Sequence, residues 1–229
     1  MTRTADWAPT ALAGPDDVVF RPRHAWCVGR NYAEHVREMG ADPKAGTPIF
    51  FSKPATALMQ AAAVPFPPAT EELHHEVELV ALLGQGGRNL DAEAALDCVV
   101  GWAVGCDLTR RDVQAKAKQA GQPWALAKGF DASGPVGRWA SADDWMPAST
   151  TAIQLAINGQ ARQQAVLGDM IWSVGALLAR LSRAVTLHPG DVLFTGTPAG
   201  VGALAVGDRV EARIDGLPGL EFELVDPAA

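Results

Sequence analysis

Two glutamates, Glu76 and Glu78, stand one residue apart inside the run LHHEVELVALLG. Val77, Leu79, Val80, Leu82 and Leu83 around them favour a strand that is at least half buried. Strand side chains alternate faces, so His74, Glu76, Glu78, Val80 and Leu82 share one side. Two residues of strand rise set the carboxylates about 7 Å apart along the backbone. Like charges that close raise each other's pKa, and burial strengthens the effect. Either this face is solvent, or a bound cation neutralises both groups. A cation needs a further oxygen ligand, and Asp107, at the end of the apolar run WAVGCD, is the best candidate. Taken alone, an acid there also suits a turn or a helix N-cap. Three carboxylates with no thiolate or imidazole fit a hard cation such as Mg2+ or Mn2+. The His74-His75 pair does not make a zinc motif, because neighbouring strand residues point to opposite faces and no HExxH is present.

His35 and Glu38 lie three residues apart on one face of an expected helix. A carboxylate beside an imidazole can hold and polarise it for general-base work on water, although surface pairs share this spacing. Arg111, Gln114 and Lys128 come after Asp107 in the chain. A solvated helix face explains the first two equally well, whereas Lys128 sits in the apolar run WALAKGF. The segment TGTPAGVG lacks the lysine and the glycine spacing of a phosphate loop. It reads better as a tight turn that exposes backbone, with Thr197 offering a hydroxyl.

The elements that must position these groups are set by local signals. HAWCVGRNY reads as a strand turning into the helix YAEHVREM, with Asn31 as its N-cap and Gly40 as its end. PIFFSKP is a short apolar segment, and VPFPPATEE a proline-rich loop into the Glu-x-Glu strand. AEAALDCVV is helix-like, GWAVGCDLT a strand, and RRDVQAKAKQAG a polar helix closed by Gly121. Ile153, Leu155 and Ile157 alternate up to Asn158-Gly159, which predicts a hairpin. DMIWSVGALLARLSRAV predicts a helix capped by Asp169, with Met170, Val174, Leu177, Leu178 and Leu181 as its apolar stripe. DVLFTGTPAGVG and DRVEARIDGLPGLEFELV read as further strands. The sum is an α+β domain over residues 21–229, preceded by a loose extension over 1–20.

Composition bounds the rest. A chain of 229 residues supports one good core, and 48% hydrophobic with 20% charged residues is ordinary for a globular domain. A net charge of −7 argues against nucleic acid as a general partner. No apolar run reaches membrane-spanning length, and the N-terminus has no apolar core of a signal peptide. Cys27, Cys98 and Cys106 make no disulfide framework or zinc spacing, which suits buried thiols in a reducing cytoplasm.

Eight stretches, CVGRNYAEHVREMG, FFSKPATAL, LHHEVELV, DLTRRDVQ, GQPWALAKGFD, INGQARQQ, GDMIW and GDVLFTGTPAGVG, occur in an order that resembles the fumarylacetoacetate hydrolase family. They cover roughly residues 24 to 216, and the likeness is greatest to small single-domain fumarylpyruvate hydrolases and acylpyruvases. Gln160, where relatives often carry Glu, is a small departure outside the family's site. The resemblance implies a mixed β-roll with peripheral helices, commonly a homodimer, acting on a small keto acid. It assigns Glu76, Glu78 and Asp107 to Mg2+ or Mn2+, His35 and Glu38 to a water-activating dyad, and Lys128 to catalysis. Arg111, Gln114 and Thr197 fall on substrate-contacting positions. Arg30 is added as the partner of a terminal substrate carboxylate. The implied reaction is C3–C4 cleavage of 2,4-dioxo acids to pyruvate and a carboxylic acid, in gentisate-type aromatic catabolism. Oxaloacetate decarboxylation or keto–enol isomerisation on the same scaffold is the nearest alternative. A noncatalytic, metal-stabilised keto-acid-binding domain is the more distant one.

Overall fold

The computed structural model describes residues 10–38 and 46–227. In chain order the elements begin with β1 (Leu12–Ala13), β2 (Val19–Phe20), β3 (His24–Val28), α1 (Ala33–Glu38), β4 (Phe50–Lys53), β5 (Leu58–Met59) and β6 (Ala63–Pro65). Next come β7 (Leu73–His75), β8 (Val77–Leu83), α2 (Ala92–Leu96), β9 (Val99–Cys106), β10 (Thr109–Arg110), α3 (Arg111–Gln119) and α4 (Ala125–Lys128). The remainder is β11 (Gly134–Pro135), β12 (Ala140–Ser141), β13 (Ala152–Ile157), β14 (Gln160–Val166), α5 (Val174–Ala184), β15 (Asp191–Phe194), β16 (Gly202–Leu204), β17 (Arg209–Ile214) and β18 (Leu220–Val225).

Six strands form one sheet in the order β12-β9-β8-β15-β3-β4, and five form another in the order β14-β13-β17-β18-β6. Both are mixed: β8 runs antiparallel to β9 and β15, while β15 runs parallel to β3 and β18 parallel to β6. A small third sheet joins β10, β7 and β16. This is the α+β architecture with peripheral helices that the sequence implies.

Strand alternation explains how the core is divided. Val77, Leu79, Ala81 and Leu83 of β8 pack with Trp102, Val104, Ile153, Leu155, Val210 and Phe222 in the larger cluster. Val80 and Leu82, on the opposite face, join Leu12, Ala25, Cys27, Val192 and Phe194 in the smaller one. β8 is therefore buried along its whole length on both faces, the fuller form of the at least half-buried strand expected. The expected single strand from His74 onward also breaks at Glu76, between β7 and β8.

Other local signals fared differently. Asn158 (φ 52°) and Gly159 (φ 76°) both adopt positive φ and close the β13–β14 hairpin as expected. The helix α5 starts later than expected: Ser173 is its N-cap, accepting from the Ala176 amide, and Met170 precedes it. Asp169 instead accepts from the Val166 amide in the turn before. Asn31 does not cap α1. Its amide group donates to the Trp172 and Thr195 carbonyls and its Oδ1 accepts from the Trp172 amide, so it ties the root of α1 to two distant loops. The expected end of this helix at Gly40 lies outside the described residues. Within the expected extension, β1 and β2 pair, and Leu12 is fully buried with its carbonyl accepting from the Trp139 indole. That part packs on the domain instead of hanging loose, and residues 1–9 lie outside the described residues.

Candidate active site

The Glu-x-Glu pair meets Asp107 because the β8–β9 ladder runs one step past its last strand pair. Val77 pairs with Cys106, and the Asp107 amide then donates to the Glu76 carbonyl at 2.8 Å. Carboxylate oxygens of Glu76, Glu78 and Asp107 lie within 4.8 Å of one another. All three side chains are buried, Glu78 at 1% exposure and Asp107 at 0%. The solvent-face reading of Glu76 and Glu78 is thus excluded. Opposite Glu78 stands Gly105. A Cβ there would come within 2.5 Å of Val80 and 2.8 Å of Phe194, so only glycine fits beside the acids.

Two buried lysines and one arginine balance the charge. The Lys128 ammonium, from α4, donates to Glu76 Oε2 and Asp107 Oδ2, each at 2.7 Å. Lys53, from β4, pairs with Asp107 Oδ1 at 2.8 Å and donates to the carbonyls of Leu108 and Lys128. The Arg111 guanidinium binds Glu76 Oε1, Gln114 Oε1 and His74 Nδ1. Burial raises the Glu76 pKa, but Lys128 and Arg111 outweigh it and hold this carboxyl far below the usual range. Glu78 goes the other way: burial, then Asp107 and Glu76, push it well above an ordinary glutamate. Its main support is the Gly196 amide, which donates to Oε2 at 2.7 Å. Gly196 holds φ +97° in the turn after β15, so TGTP does expose backbone to the site.

This donor set fits a divalent cation. Three converging carboxylates with no sulfur and no imidazole make a hard-oxygen site. Glu78, crowded by two like charges, is the group a cation would relieve most.

His35 is buried, with Nδ1 at 3.3 Å from Glu38 Oε2, and Glu38 is partly exposed where the Gly200 amide also reaches it. Burial lowers the His35 pKa against the opposing pull of Glu76 and Glu38, so the ring stays neutral at pH 7. With Nδ1 facing Glu38, Nε2 is the nitrogen left to accept a proton. Gln114 and Thr197, also expected at the site, are buried, and the Thr197 hydroxyl accepts from Gln163 Nε2 at 2.8 Å. Arg30 makes no ion pair among the described residues, and its Nε is buried without a hydrogen-bond partner.

Two residues of this constellation escaped the sequence reading. Lys53 is a fully buried cation in FFSKP, and a lysine on the same strand face as Phe51 in so apolar a run was the available signal. Gln163 is fully buried on β14. Its Oε1 accepts from the Val77 amide and lies 2.9 Å from His75 Nδ1, while its Nε2 donates to Thr197 and the Pro198 carbonyl. Nothing in QARQQA distinguishes it from its neighbours.

Fold and site together define a mixed-sheet α+β protein with a buried three-carboxylate cage. A family profile described as fumarylacetoacetate (FAA) hydrolase C-terminal matches residues 24–225, and the chain belongs to that family. The structure superposes on a fumarylpyruvate hydrolase from Pseudomonas aeruginosa, solved in complex with Mn2+ and pyruvate, with a TM-score of 0.95. The two are 42% identical, over 99% of this chain and 100% of the other. A putative fumarylpyruvate hydrolase from Burkholderia cenocepacia gives a TM-score of 0.91 at 44% identity, over 99% and 96% of the two chains. Among curated proteins, the mitochondrial oxaloacetate tautomerase FAHD1 of Rattus norvegicus is 41% identical over 86% of this chain and 90% of its own.

Proposed function

We propose that this protein is a divalent-metal-dependent hydrolase that cleaves the C3–C4 bond of 2,4-dioxo acids, with fumarylpyruvate as its substrate and pyruvate as one product. The carrying observation is the buried Glu76–Glu78–Asp107 cage on a chain that matches, over 99% of its length, a fumarylpyruvate hydrolase holding Mn2+ and pyruvate. Bound in the cage, Mg2+ or Mn2+ would supply Lewis acidity to the 2-oxo group of the substrate.

The chain's own residues supply the rest. His35, kept neutral by burial and held at Nδ1 by Glu38, takes a proton from water at Nε2. The resulting hydroxide attacks the C4 carbonyl, C3 leaves with the bonding electrons, and the pyruvate enolate forms. Arg111 and Lys128 present positive charge where the anionic acid must sit, with the Gln114 amide beside them. Their attraction grows as charge moves onto the enolate, which is what lowers the barrier. Thr197, next to the Gly196 amide that supports Glu78, offers a hydroxyl to the substrate. The resemblance further supports a cytoplasmic homodimer serving gentisate-type aromatic catabolism. No helix among the described residues is long and apolar enough to cross a membrane.

A second reading is keto–enol tautomerisation of oxaloacetate, favoured by the curated relatives of that name. It passes through the enolate of oxaloacetate itself, with charge on the same 2-oxo oxygen and the C4 carboxylate retained, and needs no attacking water. Oxaloacetate decarboxylation releases CO2 and leaves the same pyruvate enolate as the hydrolysis. The deciding experiment runs fumarylpyruvate and oxaloacetate side by side on Mg2+-loaded protein. Rapid loss of fumarylpyruvate absorbance, abolished by EDTA and lowered about 100-fold or more in His35→Ala, supports the hydrolase. Enol–keto conversion of oxaloacetate with no fumarylpyruvate turnover replaces it by the tautomerase, and pyruvate formation from oxaloacetate alone by the decarboxylase.

A further inference from the structure

Helix α3 carries more than the two residues assigned to the substrate. Arg111, Gln114 and Lys118 lie at i, i+3 and i+7, so they form one stripe on one helix face. Lys118 stands about 6 Å along the axis beyond Gln114. Two aromatic rings link Lys128 of the site to Lys118. Phe51 shares its β4 face with Lys53, and its ring lies 5.0 Å from the Lys128 ammonium. Phe51 packs on Trp124 with ring centroids 5.8 Å apart, and the Lys118 ammonium lies 5.2 Å from the Trp124 ring. These rings border a groove of about 380 Å³, lined also by Ile49, Ser52, Gln122 and Pro123.

Arg30 belongs to the same end. Gly29 packs so closely on Trp124 that a Cβ would come within 3.1 Å of its ring, and its amide donates to the Ile49 carbonyl. Neither Arg30 nor Lys118 has an ion-pair partner among the described residues, and the Arg30 Nε is buried without a hydrogen bond. Burial, then Arg111 and Arg30, pull the Lys118 pKa down to about 8.

Building on the hydrolase reading, we propose that Lys118, with Arg30 beside it, binds a carboxylate at the far end of the acyl arm, while the Phe51–Trp124 wall seats the carbons between. The subsite selects 2,4-dioxo acids whose acyl group ends in a second carboxylate over neutral acylpyruvates. The cage end holds the 2-oxo acid common to both classes, and the α3 stripe reads the acyl arm beyond it.

The test compares kcat/KM for fumarylpyruvate and for acetylpyruvate, which lacks the second carboxylate, in the Mg2+-loaded wild type, Lys118→Met and Lys118→Arg. Methionine keeps most of the packing stem, so the fold is preserved. The fumarylpyruvate-to-acetylpyruvate ratio falls about 10- to 100-fold in Lys118→Met, chiefly through KM, and recovers in Lys118→Arg. An unchanged ratio, or an equal loss on both substrates, overturns the subsite while leaving the hydrolase standing. If the wild type hydrolyses neither acid, the hydrolase reading fails on its own, and calorimetric titration of both acids into the same three proteins decides the subsite. A loss of fumarylpyruvate affinity exceeding that for acetylpyruvate then sustains it, and equal affinities overturn it.

Discussion

Replacing Lys53 by methionine should cost more stability than almost any surface change, and the structure says why. The ammonium is fully buried and holds three oxygens: Asp107 Oδ1 at 2.8 Å, the Leu108 carbonyl at 3.2 Å and the Lys128 carbonyl. Methionine fills a similar volume but leaves Asp107 with one cation fewer and two carbonyls without this donor. Breaking one side of a buried ion pair costs about 3–5 kcal/mol. Asp107 keeps Lys128, which lowers the loss, while the deserted carbonyls raise it again. At about 2–4 °C per kcal/mol for a chain of this size, Tm should drop by about 6–20 °C in metal-free buffer. The assay is a thermal melt in EDTA, repeated with Asp107→Asn and with the double variant. If the loss comes from an uncompensated charge, the double variant melts higher than the sum of the two single losses predicts. A Tm within about 3 °C of wild type, or strictly additive losses, would refute the reasoning.

Glu78→Gln should separate metal binding from folding. Glutamine keeps an oxygen for the Gly196 amide and removes the charge that burial, Asp107 and Glu76 oppose, so the metal-free Tm holds or rises. Mn2+ affinity, read by titration with electron paramagnetic resonance, should fall by about 100-fold or more, and a fall under tenfold would remove Glu78 from the ligand set. Acid sensitivity originates in the histidines. His35, His74 and His75 all sit below their ordinary pKa of 6.5, first through burial, and His74 is pushed down to about 4. As pH falls below 6.5 the unfolded chain therefore takes up protons that the folded chain refuses. The proton that Glu78 takes up in the folded chain works against this, but three histidines outweigh one carboxyl, so stability should decline from there, with the His74 contribution levelling off near pH 4. Denaturant melts at pH 7.5, 6 and 5 check this, and a flat midpoint contradicts it.

Signals confined to a few neighbouring residues were legible in the chain. Asn158-Gly159 specifies its turn through its own backbone preferences, whereas Glu76-x-Glu78 with Asp107 offered a cation as one of two readings, which the family resemblance of the whole chain decided. What remained hidden depends on partners far away in sequence. Asn31 had the right type for a cap, yet carbonyls more than 140 positions away claimed its amide. Asp169 lost the cap of α5 to Ser173 because a short turn intervenes before the helix begins. Burial of β8 on both faces could not be read from its alternation, since the second cluster is assembled from β3, β15 and the N-terminal Leu12. Lys53 is the same lesson at the site: a lysine in an apolar run hints at burial, but only the tertiary fold sets its ammonium against Asp107.

The cage brings its own counterions. Glu76 and Asp107 are paired with Lys53, Lys128 and Arg111 before any ion arrives, and Glu78 alone of the three acids has no cationic partner among the described residues. In domains whose ligands are otherwise uncompensated the ion is part of the folding reaction itself. Here the chain should fold in metal-free buffer, with loading as a later and separate step. Removal by a chelator should be reversible, and one batch of protein can be refilled with different ions and compared without refolding.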